Sequence, residues 1–236
     1  MKADTVYKQI TDALGYLTPE DAEHLQRLLR PLLDACRAEI AAAGMQAKDK
    51  DRFAAALSFA KTVQKQYKRF RPAIAGAWTT PDGVQAITDT YLLVMYDKPF
   101  DGLPEIPADA TPIDIKPLLT DDTTSNGTFP RVQDLKTALK LAKLDWTGSA
   151  KEFRHYTWLK DNIYVQTQLL ITAIECTGCT EYRYGTPVQP IRGRNEKTGA
   201  AFLLCPVRVT AETLKGNNIY YPDGDSDIDF LIAKED

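Results

Sequence analysis

Residues 162–209 read NIYVQTQLLITAIECTGCTEYRYGTPVQPIRGRNEKTGAAFLLCPVRV, a strand, a helix and further strands in close succession. Ile163-Tyr164-Val165 is a short β-type run. From Gln166 to Cys176, Leu169, Leu170, Ala173 and Ile174 recur at helical spacing, which predicts a short helix with that side inward. Three β segments follow, at Thr180–Tyr184, Val188–Arg192 and Ala200–Val209. Gly185, Gly193 and Gly199 are isolated turn glycines and do not have the spacing of a phosphate loop.

The order of a helix and then strands also occurs upstream. A helix is expected from about Arg52 to Arg69, with Phe53, Ala56, Leu57, Ala60, Val63 and Tyr67 on one side. Lys61, Lys65 and Lys68 fall together on another side, with Arg69 close by. Pro72 ends it. A short apolar strand is expected at Ala73–Thr79, then turn chemistry at Pro81-Asp82-Gly83, then a long β run from Val84 to Tyr96.

Before this, residues 1–50 read as helical. Thr18-Pro19-Glu20-Asp21 is a helix start, with a Thr cap, Pro in the first turn and acids at the positive end of the dipole. Leu25, Leu28, Leu29, Leu32, Cys36, Ile40 and Ala43 form the apolar face, and Pro31 is expected to kink or split the helix near Arg30. Gly44 is the expected stop, and Lys48-Asp49-Lys50-Asp51 is a charged connector. Residues 97–130 hold six prolines and are expected to be an irregular, exposed excursion. Val132 to Leu144 is a further helix, with Val132, Leu135, Leu139 and Ala142 inward and a second basic stripe of Lys136, Lys140 and Lys143. Residues 146–158 show no clear pattern. Residues 210–236 are a polar, acidic tail with a turn at Pro222-Asp223-Gly224-Asp225.

The bulk numbers fit a globular chain. It has 236 residues, a hydrophobic fraction of 44%, a charged fraction of 26% and a formal net charge of −3. Nothing in that balance demands nucleic acid, although a local basic stripe binds phosphates whatever the net charge. No stretch approaches the roughly 20 apolar residues of a membrane span, and Met1-Lys2-Ala3-Asp4 lacks the apolar run of a signal peptide. A cytoplasmic location without membrane contact is therefore expected. The four cysteines, Cys36, Cys176, Cys179 and Cys205, do not have the spacing of a secreted disulfide framework and are expected to be reduced thiols.

Three local motifs resemble the bacterial DNA polymerase III β subunit, the DNA sliding clamp, whose domain pairs two helix-plus-sheet units. Ile87-Thr88-Asp89-Thr90-Tyr91-Leu92-Leu93 resembles the clamp's "TDGYRL" strand, with Leu92 in place of the usual Arg. Tyr164-Val165-Gln166-Thr167-Gln168-Leu169-Leu170 resembles its "F-N-x-x-Y-L-L" segment, and Phe202-Leu203-Leu204-Cys205-Pro206-Val207-Arg208-Val209 its closing "LMPVR" strand. Gly127-Thr128-Phe129-Pro130 is similar to the clamp's "GxFP". The resemblance covers about 52–96 and 162–209. It implies an α+β chain: a helical head at 1–50, a DNA-clamp-like domain of two helix-plus-antiparallel-sheet units at 51–209 with an irregular insertion at about 97–160, and a tail at 210–236. It departs from the family in holding one clamp-type domain where ring clamps assemble six, and in having 27 residues after the Pro206-Val207-Arg208 strand, which ends the protein in the bacterial family and borders its peptide groove.

The resemblance also gives the lysine stripes a reading. Sliding clamps line their hole with helices that present Lys and Arg to the DNA backbone, and such contacts hold DNA without reading its sequence. Lys61, Lys65, Lys68, Arg69, Lys136, Lys140 and Lys143 are then the DNA-binding candidates. The same spacing also describes the solvated face of an ordinary amphipathic helix. Leu203, Leu204, Pro206, Val207 and Arg208 are the candidates for a partner-peptide groove.

Other chemistry is sparse. Cys176-Thr177-Gly178-Cys179 is a CxxC, yet Cys36, Cys205, His24 and His155 offer no paired spacing to complete a zinc site. His24 is expected at the surface. His155, in Phe153-Arg154-His155-Tyr156, is either a base-stacking residue or a packed surface histidine. Asp223, Asp225, Asp227 and Asp229 alternate, but without the Gly and Glu of a calcium loop they read as a solvated turn. No nucleophile–base set is recognisable. The expected function is non-enzymatic, without metal or cofactor: a sliding-clamp-like protein binding double-stranded DNA without sequence specificity, a polymerase or other replication protein, or both, able to form a homo-oligomer and of a divergent phage or mobile-element type. The alternative is a clamp-fold interaction or structural module with no DNA contact.

Overall fold

The computed structural model describes residues 3–43, 45–120, 123–150, 152–208 and 219–222. The fold is α+β, with antiparallel sheet dominating its strand pairings. It forms two compact units, one of Met1–Asp89 with Met95–Asp114 and one of Thr90–Val94 with Ile115–Asp236.

The first unit begins with α1 (Ala3–Leu14) and α2 (Pro19–Ala43). Thr18 starts α2 as expected: its hydroxyl accepts from the Asp21 backbone N–H at 3.3 Å and donates to the Asp21 carboxylate at 2.6 Å. Pro31 does not split the helix, which is unbroken through it. One missing N–H costs one bond, and burial of Leu33, Cys36 and Ala38 holds the turns that follow. Beside α1, Arg37 donates to the Tyr7 hydroxyl at 3.0 and 2.9 Å. Val6, Ile10, Ala13, Leu14, Leu17, Leu25 and Leu29 line an open apolar cleft of about 320 Å³.

Next comes α3 (Ala47–Tyr67), which buries Phe53, Ala56, Phe59, Ala60 and Val63. The expected strand at 73–79 is mostly a turn. Pro72–Ile74 is a single 3-10 turn, and β1 holds only Trp78–Thr79. Proline favours turn initiation here, and Ile74 N–H donates back to Arg71 at 3.1 Å. The Pro81-Asp82-Gly83 turn joins β1 to β2 (Gln85–Thr88), with Gly83 at φ +83°. The excursion after residue 97 is mostly exposed through Thr120, but its first part is fastened down. Gln85 brackets Phe100, donating to its carbonyl at 3.0 Å and accepting from its N–H at 2.9 Å. The Phe100 ring meets Phe53 and Tyr96 edge-on at 5.6 and 4.9 Å. Ala77 donates to Pro104 at 2.7 Å and accepts from Ile106 at 3.0 Å. Gly76 permits this approach, because a Cβ there would lie 2.6 Å from the Glu105 backbone.

The long β run expected at 84–96 is two strands, β2 and β3 (Leu92–Tyr96). Thr90 interrupts it at φ +81°, in the left-handed region. It occupies the Gly position of the "TDGYRL" motif, and a β-branched residue there is strained. Thr90→Gly is expected to raise stability by about 1 kcal/mol, measured by urea unfolding; a lower midpoint with unchanged m-value contradicts this.

In the second unit the elements after β3 are β4 (Ser125–Thr128), α4 (Val132–Asp145), β5 (Tyr156–Trp158), β6 (Tyr164–Gln166), α5 (Thr167–Thr177), β7 (Glu181–Tyr184), β8 (Ile191–Asn195), β9 (Ala200–Leu204) and β10 (Ile219–Tyr220). The main sheet runs β3-β9-β8-β7-β4, and β10-β5-β6 form a smaller one. Register in the main sheet is set by Ile191↔Leu204 through Asn195↔Ala200 and by Ser125↔Tyr184 through Thr128↔Glu181. β4 lies inside the stretch expected to be irregular. β7 alternates cleanly, with Tyr182 and Tyr184 inward, and Phe129 packs on both Tyr182 and Phe202 at 4.7 and 5.7 Å. Gly127 and Gly193 make room for this row, since a Cβ at either would run into the Tyr182 or Phe202 ring. β8 starts later than expected because Thr186–Gln189 forms a turn, closed by Gln189 N–H to Thr186 at 3.1 Å. β5 and β6 form a hairpin whose central residues, Asp161 and Asn162, have φ +56° and +59°, a geometry these side chains tolerate.

Candidate nucleic-acid interface

The α3 face is built by the helix period. With Phe53, Ala56, Ala60 and Val63 buried, Lys61, Lys65 and Lys68 are left exposed on one side, and Arg69 and Arg71 are exposed in the turn beyond. Among the described residues none of these five cations has a carboxylate partner. Residues 52–81 contain six Lys or Arg and no Asp or Glu, within a chain of net charge −3. Lys68 caps the helix, donating its backbone N–H to Gln64 at 3.1 Å, and the Tyr67 hydroxyl donates to the Asp89 carbonyl at 2.9 Å. The cationic face therefore stands on an anchored helix end.

The α4 stripe is in the other unit and is more compensated. Lys136 pairs with Glu175 at 2.5 Å, and the Lys143 ammonium lies 5.9 Å from the centre of the Phe153 ring. Arg131 pairs with Asp134 at the start of the helix, and Asp145 ends it. Lys140 is exposed.

The groove candidates separate by depth. Leu203 and Leu204 are buried in β9, whereas Pro206 and Val207 are half-buried and Arg208 is exposed. The segment is held as an extended strap: Cys205 N–H donates to Tyr91 at 2.8 Å, and Val207 N–H donates to Tyr164 at 2.7 Å. Val209 lies outside the described residues.

The CxxC serves the end of α5. Gly178 takes the left-handed cap at φ +67°, with its N–H donating to Ile174 at 2.7 Å, and Cys176 and Cys179 are buried and not joined in a disulfide. His155 is neither a surface residue nor available to stack on a base. It is 4% exposed, and its Nδ1 lies 2.8 Å from the Thr167 hydroxyl, which is 2.9 Å from that of Thr157. Burial lowers its pKa to about 4, so the ring is neutral at pH 7. The α5 helix and the β5–β6 hairpin bring these three side chains together from positions 155, 157 and 167, a spacing that no motif announces. His24 is exposed. Asp223, Asp225, Asp227 and Asp229 lie outside the described residues, as does Gly44. No helix among the described residues is long and apolar enough to cross a membrane.

Helical spacing of the lysines does not pick out one further cation, Arg71, or the exposed aromatic Phe70 between it and Arg69. The absence of any acid over residues 52–81 is the sequence signal for Arg71.

No family model and no curated protein matches the chain. Among solved structures, the chain is similar to bacterial sliding clamps at low identity. A Caulobacter crescentus β sliding clamp is 12% identical, covering 67% of this chain and 63% of that one, with a TM-score of 0.47. A Helicobacter pylori β clamp is 11% identical, covering 67% and 64%, with a TM-score of 0.44. A Bacillus subtilis DNA polymerase sliding clamp is 13% identical, covering 65% and 63%, with a TM-score of 0.41. The match spans less than two thirds of each of these neighbours.

Proposed function

We propose that this chain is a non-enzymatic, sliding-clamp-like protein of a divergent phage or mobile-element type that binds double-stranded DNA through its phosphates. The observation that carries this reading is the C-terminal end of α3: Lys61 and Lys65 on the helix, Lys68 at its cap and Arg69 in the turn beyond are exposed, have no carboxylate partner among the described residues, and lie in a stretch, 52–81, without Asp or Glu. Phosphates attract such a face at any base sequence. Lys136, Lys140 and Lys143 are the secondary contacts, weakened by Glu175. In this reading residues 1–50 are a helical head, 51–209 the clamp-like domain with an insertion at about 97–160, and 210–236 a tail. Pro206, Val207 and Arg208 form the accessible part of a partner-peptide groove floored by Leu203 and Leu204, and a polymerase or other cytoplasmic replication protein supplies the peptide. The test is binding of an arbitrary 30-base-pair duplex at about 50 mM salt. Micromolar or tighter binding supports the proposal, and absence of binding sinks its DNA half.

A second reading is favoured by the helical head. Tyr16 is 90% and Leu28 is 63% exposed near an open apolar cleft, and α1 buries no residue. Apolar surface of this kind marks an association site, so the chain would be a structural module that self-associates through α1 and α2 without touching DNA. Solution mass separates the two: a simple dimer that ignores DNA supports the second reading, and a higher ring-sized oligomer that binds it supports the first.

A further inference from the structure

Phe70 is 81% exposed, although it is a large apolar side chain. Its neighbours on both sides are cations, Lys68 and Arg69 before it and Arg71 after it, and all are exposed. The segment is fixed. Phe70 N–H and Arg71 N–H both donate to the Tyr67 carbonyl, at 3.0 and 2.9 Å, and the Tyr67 hydroxyl donates to Asp89 at 2.9 Å. The ring is therefore presented on an ordered turn rather than on a loose end.

An aromatic face set among cations has a specific chemical partner. The cations attract phosphates, and the ring offers a stacking surface to a base whose own face is free. Bases in a duplex are already stacked, so the ring gains little from duplex DNA. A single strand supplies the phosphates and an unstacked base together. We infer that Lys65, Lys68, Arg69, Arg71 and Phe70 form a binding site for single-stranded nucleic acid, with the phosphates on the cations and one base stacked on Phe70. The inference rests on the reading of the α3 face as a phosphate-binding surface and adds a second ligand to it.

The test compares fluorescein-labelled oligo(dT) with a duplex of equal length at about 50 mM salt, using the full chain. Phe70→Ala is expected to weaken oligo(dT) binding about fivefold to a hundredfold and to leave duplex affinity within about twofold, because the ring makes no phosphate contact. Phe70→Trp is expected to add tryptophan emission to that of Trp78, Trp146 and Trp158, and oligo(dT) is expected to quench the added part, a signature that a merely structural role does not produce. Equal binding of oligo(dT) by wild type and Phe70→Ala, equal loss for both ligands, or an unquenched Phe70→Trp overturns the site. Duplex binding that persists in any of these cases leaves the proposed function standing. Phe70-dependent oligo(dT) binding without duplex binding keeps the site and removes the duplex reading, and absence of both removes both.

Discussion

Reversing three charges on α3, Lys61→Glu, Lys65→Glu and Lys68→Glu, is expected to lower duplex affinity at about 50 mM salt by roughly a thousandfold. Each phosphate that a lysine neutralises releases counterions, contributing about 0.9 to the slope of log K against log salt. Three such contacts at this salt account for roughly three orders of magnitude. The fold tolerates the changes, because all three side chains are exposed and none is ion-paired among the described residues. Circular dichroism and the unfolding midpoint of the triple variant should match the wild type. Reversal of Lys136, Lys140 and Lys143 should cost less, since Lys136 is already engaged with Glu175. Fluorescence anisotropy reads both, and retention of wild-type affinity by the α3 variant removes this face from the interface.

Acid should destabilise the second unit through His155. The unfolded imidazole titrates near 6.5, and burial holds the folded one at about 4. The neutral ring is the form that fits among Thr157, Thr167 and Phe153. Between these two values the unfolded chain binds the extra proton, so stability rises with pH. The contribution is fully present above pH 6.5 and is lost as pH falls through 4, about 3 kcal/mol in all. Urea unfolding of wild type and His155→Gln across pH 4–7.5 isolates it, since the carboxylates titrate alike in both. The wild type should lose about 3 kcal/mol more than the variant over this range, and parallel profiles contradict the account.

Much of the fold was legible because local chemistry and packing agree. The α5 period of Leu170, Ala173 and Ile174 and the β segment expected at 180–184 agree with the structure, which adds the Gly178 cap and the inward alternation of Tyr182 and Tyr184. What failed did so where long-range contacts decide. Pro31 sits inside α2 because burial of Leu33 and Cys36 outweighs one lost bond. The excursion after residue 97 is fastened by Gln85 and Ala77, which lie far back in the chain, and β4 exists only because β7 pairs with it. Composition over 97–130 cannot show either. The candidate site divides in the same way. The α3 lysines follow from helical spacing alone, whereas the neutralisation of Lys136 by Glu175 and the burial of His155 need the packed hairpin and helix. Phe70 was visible in sequence, but only its exposure distinguishes it from a core residue.

The measurement that bears most directly on the central claim is the salt dependence of wild-type binding to two duplexes of unrelated sequence. Equal affinities for the two are expected, falling together by roughly a hundredfold between 50 and 200 mM salt, as four phosphate contacts from Lys61, Lys65, Lys68 and Arg69 require. No binding at 50 mM, an affinity indifferent to salt, or a strong preference for one sequence would contradict it.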